Sequence, residues 1–239
     1  MIAANWPVPS NVKAFFTTRE GGVSQFPFSS NNLGNHVGDC PISVSENRGR
    51  LANLLPNTPV WLTQTHSVIV HQITNQDTIS SIEADASITK VKNAVCCVMT
   101  ADCLPILISN QQGTIVAAIH AGWRGLVDGI IERTISQFNQ NPKELIVWLG
   151  PAIGPNKFEV GDDVYSLFLE RNPLNENSFK PTNKKYLANI YQLAKNELSL
   201  FGVTHIYGGE YCTVEQELLF FSYRRDGQTG RMASIIWIE

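Results

Sequence analysis

Residues Ala94–Gly125 read AVCCVMTADCLPILISNQQGTIVAAIHAGWRG, and this stretch decides the fold. It holds two apolar runs rich in β-branched residues, Ala94–Met99 and Thr114–Ile119. Each is too short for a helix and ends in small or polar residues, which is the pattern of buried strands. Just past the first run lies Cys103, with Asp102 before it, and at the end of the second lies His120, with Arg124 shortly after. A thiol and an imidazole delivered at two strand ends mark the expected place for chemistry, because ligands gather where strand ends, side chains and water meet.

Toward the N-terminus, Val60–Thr63 and Val68–Ile73 read as strands separated by Gln64-Thr65-His66-Ser67. His66 then falls in a strand-to-strand turn and His71 inside the second strand. Ile79–Lys92 carries EADASIT, with Asp85 at a loop end. Ser43-Val44-Ser45-Glu46 has the capping-box pattern and predicts a helix through about Leu55, with Arg48 in its second turn. Val12–Thr18 reads as the opening strand. The segment Arg19–Asp39, which includes Asn32, is rich in Gly, Ser and Asn yet carries Phe26, Phe28, Leu33 and Val37. A flexible linker lacks such anchors, so an ordered loop that walls a pocket is expected.

Toward the C-terminus, Val127, Ile130, Ile131, Thr134, Ile135 and Phe138 share one helical face and predict an amphipathic helix over Leu126–Phe138. Leu145–Leu149 reads as a buried strand, Gly150–Pro155 as a turn, and a short helix follows Gly161. Arg171–Lys185 is a polar surface excursion, and Tyr186–Phe201 a second amphipathic helix. Val203–Tyr207, Leu218–Ser222 and Met232–Ile238 read as closing strands, with the arginine-rich turn YRRDGQTGR, Tyr223–Arg231, between the last two. Many strands and three or four helices, without regular β-α-β alternation, point to an α+β fold: mixed β-sheets packed as a sandwich-like core flanked by helices.

No Pro/Gly/Ser-rich linker divides the 239 residues, so residues 1–239 are read as a single domain. Hydrophobic content of 43% against 16% charge supplies ample core. A net charge of −3 without a basic run argues against nucleic acid and against an anionic membrane surface. The opening MIAANWPVPSNVK has no signal-peptide pattern, no apolar run approaches the roughly 20 residues of a membrane span, and no protein-partner patch is legible. Five cysteines, an odd number with Cys96 and Cys97 adjacent, suit reduced thiols in a cytoplasm better than a disulfide framework.

Cys103, His66 and His120 form a ligand set suited to zinc: a thiolate and two imidazoles fit a borderline-soft cation and leave a fourth position open. Their wide separation suits a site gathered from loops rather than a local finger. The competing reading for Cys103 is a buried inert thiol, the reading that fits Cys96, Cys97 and Cys212. His120-Ala121-Gly122-Trp123-Arg124-Gly125 runs from a strand end into a helix start, where small residues permit close approach and free N–H groups favour an anion. Phosphate there would pair with Arg124 or Arg48; the plainer alternative is that Gly122 and Gly125 serve only the turn.

The blocks TTREGGVS, NNLGNHVGD, ENRGRL, TQTHS, ADAS, VMTADCLPIL, AAIHAGWRG, WLGPAIGP, FEVGDDV and YRRDGQTGRMASIIWI run in order from Thr17 to Ile238. Together they resemble the YfiH family, bacterial purine nucleoside phosphorylases related to the human laccase-domain protein and formerly described as polyphenol oxidases. The resemblance implies a zinc site made by His66, Cys103 and His120, with copper the less favoured metal. It implies an enzyme that uses phosphate to split adenosine, inosine or guanosine into base and ribose 1-phosphate, with methylthioadenosine cleavage and adenosine deamination also linked to the family. On that reading His66, Cys103, His120 and Asp102 are the catalytic candidates, and Arg48, Arg124, Asn32 and Gly122 the substrate or phosphate contacts. Asp102 or Asp85 would orient a metal ligand or move a proton. Two other readings stand beside it: a metal-free hydrolase with Cys103 as nucleophile, acting on cell-wall precursors, and a binding protein on the same fold. A multicopper oxidase is disfavoured, since the chain has only five histidines.

Overall fold

A computed structural model describes residues 1–75 and 82–239; the beginning of the Ile79–Lys92 segment lies outside the described residues. The elements follow in chain order. Strands β1 (Ile2–Ala3) and β2 (Val12–Phe16) lead to helix α1 (Pro41–Ala52) and then to β3 (Leu62–Thr63), β4 (Val70–Ile73), β5 (Ile82–Glu83) and β6 (Ala86–Thr89). The central strands are β7 (Cys96–Thr100), β8 (Leu104–Asn110) and β9 (Val116–Ala121), followed by α2 (Trp123–Asp128), α3 (Ile130–Phe138) and β10 (Leu145–Leu149). The rest comprises β11 (Glu159–Val160), α4 (Asp162–Arg171), β12 (Phe179–Pro181), β13 (Tyr186–Ala188), α5 (Ile190–Leu200), β14 (His205–Gly208), α6 (Tyr223–Asp226) and β15 (Met232–Ile238).

Two sheets form the core. One has the order β1-β2-β15-β7, the other β14-β10-β8-β9-β6-β4, and smaller sheets pair β11-β13-β12 and β3-β5. Side-chain alternation along the strands sorts the interior into layers. Val98 of β7 and Met232 and Ile236 of β15 face Val116 and Ala118 of β9 and Leu107 of β8, closing the space between the two large sheets. The opposite face of the six-stranded sheet, with Ile106, Ile108, Ala117 and Ile119, packs against Leu126, Ile130, Ile131, Leu193 and Leu198 of the helices. The opposite face of the four-stranded sheet, with Cys97, Met99, Ile235 and Trp237, receives Leu51 of α1 and Leu33. The sandwich flanked by helices is therefore the observed architecture. Among the described residues no helix is long and apolar enough to cross a membrane.

Local differences from the sequence reading have identifiable causes. The stretch Ala94–Gly125 holds three strands rather than two. Leu104–Asn110, broken in appearance by Pro105, is wholly buried and pairs with both β9 and β10. Helix α1 starts at Pro41, ahead of the expected capping box, because proline at the first turn fixes φ and wastes no N–H. The single helix expected over Leu126–Phe138 is two, divided at Gly129, whose φ of 95° no helix accommodates. Tyr186–Phe201 opens as strand β13 before Asn189 caps α5 by accepting from the Gln192 N–H. Leu218–Ser222 is not a strand: Phe220 and Phe221 are buried as irregular chain.

One rim of the sandwich collects the ends that matter. Antiparallel pairing places Met232, the start of β15, opposite Thr100, the end of β7. In the other sheet it places Leu104, the start of β8, opposite Ala121, the end of β9. Residues Ala101–Cys103 cross from one sheet to the other at that rim, with Asp102 at φ 91°. Gly129→Ala should destabilise the protein by about 1–2 kcal/mol, because the added methyl is strained at positive φ and meets the Arg171 guanidinium at 3.2 Å. Urea unfolding should show a lower midpoint with an unchanged slope.

Candidate metal centre

His66, Cys103 and His120 come from three separate segments, and the structure brings them together. Their ligating atoms all lie within 4.8 Å of one another. Cys103 Sγ is 3.6 Å from His66 Nε2, and the two imidazoles meet edge-on with centroids 4.8 Å apart. Zn–S and Zn–N bonds of about 2.3 and 2.0 Å at a tetrahedral angle separate their ligand atoms by about 3.5 Å, so the thiol–imidazole spacing fits a shared cation.

Asp85 determines this arrangement. Its side chain is fully buried, and one oxygen accepts from His120 Nδ1 at 2.7 Å and from the His66 backbone N–H at 3.0 Å. The other accepts from the backbone N–H of Thr65 and Ser67 and from the Ser67 hydroxyl, at 3.1, 2.6 and 2.7 Å. Three consecutive amides thus converge on one carboxylate, which holds the loop with His66 at φ 62°. Gln64 ties the same loop to β7, its amide donating to the Met99 carbonyl and accepting from the Met99 N–H. With His120 Nδ1 committed to Asp85, Nε2 is left for the cluster.

The electrostatics follow. Burial would raise the Asp85 carboxyl, yet hydrogen bonds from His120 and Ser67 and the His120 charge hold it down at about 2. Burial would lower His120, but the Cys103 thiolate and the Asp85 hydrogen bond lift it to about 9. Cys103 feels the same desolvation, and the His120 charge with hydrogen bonds from both histidines draws it down to about 6. Cys96, by contrast, is pushed up by burial to about 12, and Cys97 is also raised by burial. Only Cys103 of these three is a ready thiolate at neutral pH, which is the form that binds a metal.

Gly122 is the space-maker. Register continuing from Leu104–Ala121 sets it beside Cys103, and a Cβ there would lie 2.4 Å from His66 Cδ2 and 3.2 Å from Cys103 Sγ. Any other side chain would collide with His66 and crowd Cys103. The cluster opens on a cleft of about 520 Å³. Ile153, Phe158, Ile190 and Trp123 give it an apolar wall, while His36, Arg124, Arg224, Arg231 and Tyr223 bring polar groups.

The remaining sequence candidates sort by position. Asp102 lines the cleft, but its carboxylate accepts from the Thr213 hydroxyl and the Arg224 backbone N–H, both at 2.6 Å. It is spent on holding the sheet-crossing turn to the C-terminal loops. Arg124 is at the exposed rim, its guanidinium over the Trp123 ring at 4.3 Å. The expected anion seat beside it is weak, because α2 has only six residues before Gly129 breaks it. Arg48 lies outside this cleft, donating to the Leu33 carbonyl and stacked over Trp61 at 4.0 Å. Asn32 is buried and joins Gly34, Asp39 and the Arg231 N–H, which fixes the loop. His36 and Arg231, which do line the cleft, had their only signals in the polar NNLGNHVGD loop and the last arginine of the YRRDGQTGR turn.

Gly122→Ala should abolish metal retention, read by elemental analysis of the purified protein, with the circular dichroism spectrum unchanged. Asp85→Asn should weaken metal affinity about 10–100-fold. In metal-free protein the native Asp85 carboxylate, at about 2 against an ordinary 3.8, contributes stability that is fully present above about pH 4. That contribution, about 2 kcal/mol, is lost as pH falls through 2. Unfolding at a series of acid pH values should therefore show a flatter acid limb for Asp85→Asn.

The family model described as multi-copper polyphenol oxidoreductase laccase matches residues 13–239. A purine nucleoside phosphorylase of Haemophilus influenzae is 51% identical over 243 residues, covering 100% of this chain and 99% of the relative. The Escherichia coli protein named purine nucleoside phosphorylase YfiH is 50% identical over 240 residues, covering 100% and 98%. The crystal structure of a Neisseria meningitidis protein superposes with a TM-score of 0.96 at 46% identity, covering 100% of this chain and 98% of that one. Similarity of that depth along the whole length leaves one conclusion: the chain belongs to the YfiH family, the group matched by the laccase-type family model.

Proposed function

We propose that this protein is a zinc-dependent purine nucleoside phosphorylase, cleaving adenosine, inosine, guanosine and methylthioadenosine with phosphate to free base and ribose 1-phosphate, with deamination of adenosine as a side activity in the cytoplasm. The observation that carries this reading is the His66–Cys103–His120 cluster, held by Asp85 and opening on a cleft lined by both apolar and cationic side chains. The names of the Haemophilus influenzae and Escherichia coli relatives supply the reaction class.

His66, Cys103 and His120 would hold the metal, which supplies Lewis acidity toward a substrate oxygen. Zinc suits a reaction without redox change, and a three-ligand site is too small for the several coppers of oxygen reduction. The chain's own groups do the rest. Ile153, Phe158 and Ile190 offer a buried apolar surface to the purine and exclude water from it. Asp85 keeps His120 in a fixed tautomer, so the cluster meets substrate without reorganising. His36 stands at the rim, where burial and the charges of Arg231, Arg48 and His120 lower its pKa. Its imidazole can take up the proton released by the attacking phosphate and pass it to the departing base.

A Cys103 thiol drawn down to about 6 beside two histidines also favours, as a second reading, a metal-free cysteine hydrolase. Product analysis of metal-quantified protein with adenosine separates the two. Adenine and ribose 1-phosphate are expected only when phosphate is present, with about one zinc per chain, and Cys103→Ala should lose metal and turnover together while staying folded. Activity in chelator-stripped protein, abolished by thiol alkylation of Cys103, would overturn the zinc reading. Inosine formed regardless of phosphate would make deamination the main reaction.

A further inference from the structure

We infer that Arg231 is the oxyanion receptor of the cleft, holding the attacking phosphate bidentately through its Nε–H and Nη2–H. Its guanidinium is placed with care. The backbone N–H is fixed by the Asn32 side chain at 2.9 Å, and the stem packs so closely on Gly34 that a Cβ there would come within 2.8 Å of Arg231 Cγ. Nη1 donates to the Thr229 and Gly230 carbonyls at 3.0 and 3.1 Å, locking the plane of the group. Nε and Nη2 make no hydrogen bond among the described residues, and they are the two donors on one edge that match two oxygens of a phosphate.

No carboxylate among the described residues closes an ion pair with this half-buried cation. Asp102 is near, but its oxygens are committed to Thr213 and to the Arg224 backbone. The other arginines are accounted for differently. Arg50, Arg171 and Arg225 pair with carboxylates. Arg224 donates to the Lys157 and Glu159 carbonyls, and Arg19 to those of Ser29 and Glu217. Arg48 is stacked on Trp61 outside the cleft, Arg124 is exposed at its rim, and Arg133 is exposed on α3. Removing a guanidinium from water without a counter-charge is costly, so one held rigid with a free edge in a cleft is built for an anion that arrives with the ligand. Burial does press the Arg231 guanidinium below its ordinary value, with the Cys103 and Asp102 charges opposing that shift.

The identity of the anion as phosphate rests on the phosphorylase reading. In that reaction a phosphate oxygen forms the new bond to the sugar's anomeric carbon as the bond to the purine nitrogen breaks, and the departing base takes up a proton. A phosphate gripped by Arg231 enters from the same rim that carries the metal ligands, since Arg231 directly precedes β15 and Cys103 directly precedes β8.

Calorimetric titration of the metal-loaded protein with inorganic phosphate tests the receptor independently of turnover. Arg231→Gln and Arg231→Lys are each expected to weaken phosphate binding at least tenfold, with metal content and melting temperature retained, whereas Arg124→Ala should change it less than threefold. Arg231→Lys keeps the charge and the stem, so it decides the matter if the glutamine variant fails to fold. Unchanged phosphate affinity in the lysine variant, or no phosphate binding by the wild type, overturns the receptor. The two proposals fail separately. Phosphate bound through Arg231 without any ribose 1-phosphate formed sinks the phosphorylase reading and leaves the receptor. Ribose 1-phosphate formed with an unchanged phosphate KM in Arg231→Lys does the reverse.

Discussion

The buried carboxylate of Asp85 is the constraint on which the rest of the site depends. An isolated carboxylate cannot be taken out of water without large cost, and this one is compensated by five donors drawn from two segments. Satisfying the charge therefore forces three consecutive amides of the His66 loop to face inward and forces His120 to turn Nδ1 toward the same point. Both imidazoles of the cluster are positioned by a single ionised group, and neither would be placed by local propensity. The His120 backbone N–H also donates to the Asp85 carbonyl at 2.7 Å, so main chain and side chain agree on the alignment.

The same charge sets up a relay of protonation preferences. Asp85 stays ionised, His120 is favoured as a cation, and Cys103 in turn is favoured as a thiolate. A metal ion at the cluster would take over the role of the His120 proton, stabilising the thiolate directly and leaving the imidazole neutral. Without metal, the pair resembles the ion pair of a thiol nucleophile. One constellation thus accounts for both chemical readings of Cys103, and occupancy of the space above Gly122 decides between them.

What was legible in the sequence was the chemistry at strand ends. The β-branched runs announce β7 and β9, and His120 and Cys103 stand out because polar, reactive residues interrupt an apolar pattern. The family-like blocks then connect His66 to them across a distance that no local periodicity spans. Less legible were features set by tertiary context. Pro105 disguised β8, although its carbonyl still accepts from the Gly150 N–H in the sheet. Gly129 and Asn189 divided segments whose apolar spacing is continuous in sequence. Asn32 and Asp102 carry functional-looking side chains that also hold the frame together, and Arg48 ties Leu33 to Trp61. Which arginine is free is a property of what surrounds it, and composition cannot report it.

The architecture explains why these groups meet at all. A two-sheet sandwich buries its faces, so a reactive cluster needs a place where backbone ends and solvent coincide. Here β7, β8, β9 and β15 all end or begin at one rim, and the short crossing Ala101–Cys103 carries the chain from one large sheet to the other there. The crossing must turn sharply, which accounts for Asp102 at positive φ and for its carboxylate being spent on Thr213 and Arg224. A residue just after that turn necessarily faces the opening between sheets, and that residue is Cys103. The residue just before β15 faces the same opening from the other sheet, and that residue is Arg231. The pairing of Met232 with Thr100 and of Leu104 with Ala121 thus places the Cys103 thiol and the Arg231 guanidinium on one opening, as consequences of register. The loop that Asp85 draws in supplies the remaining imidazole.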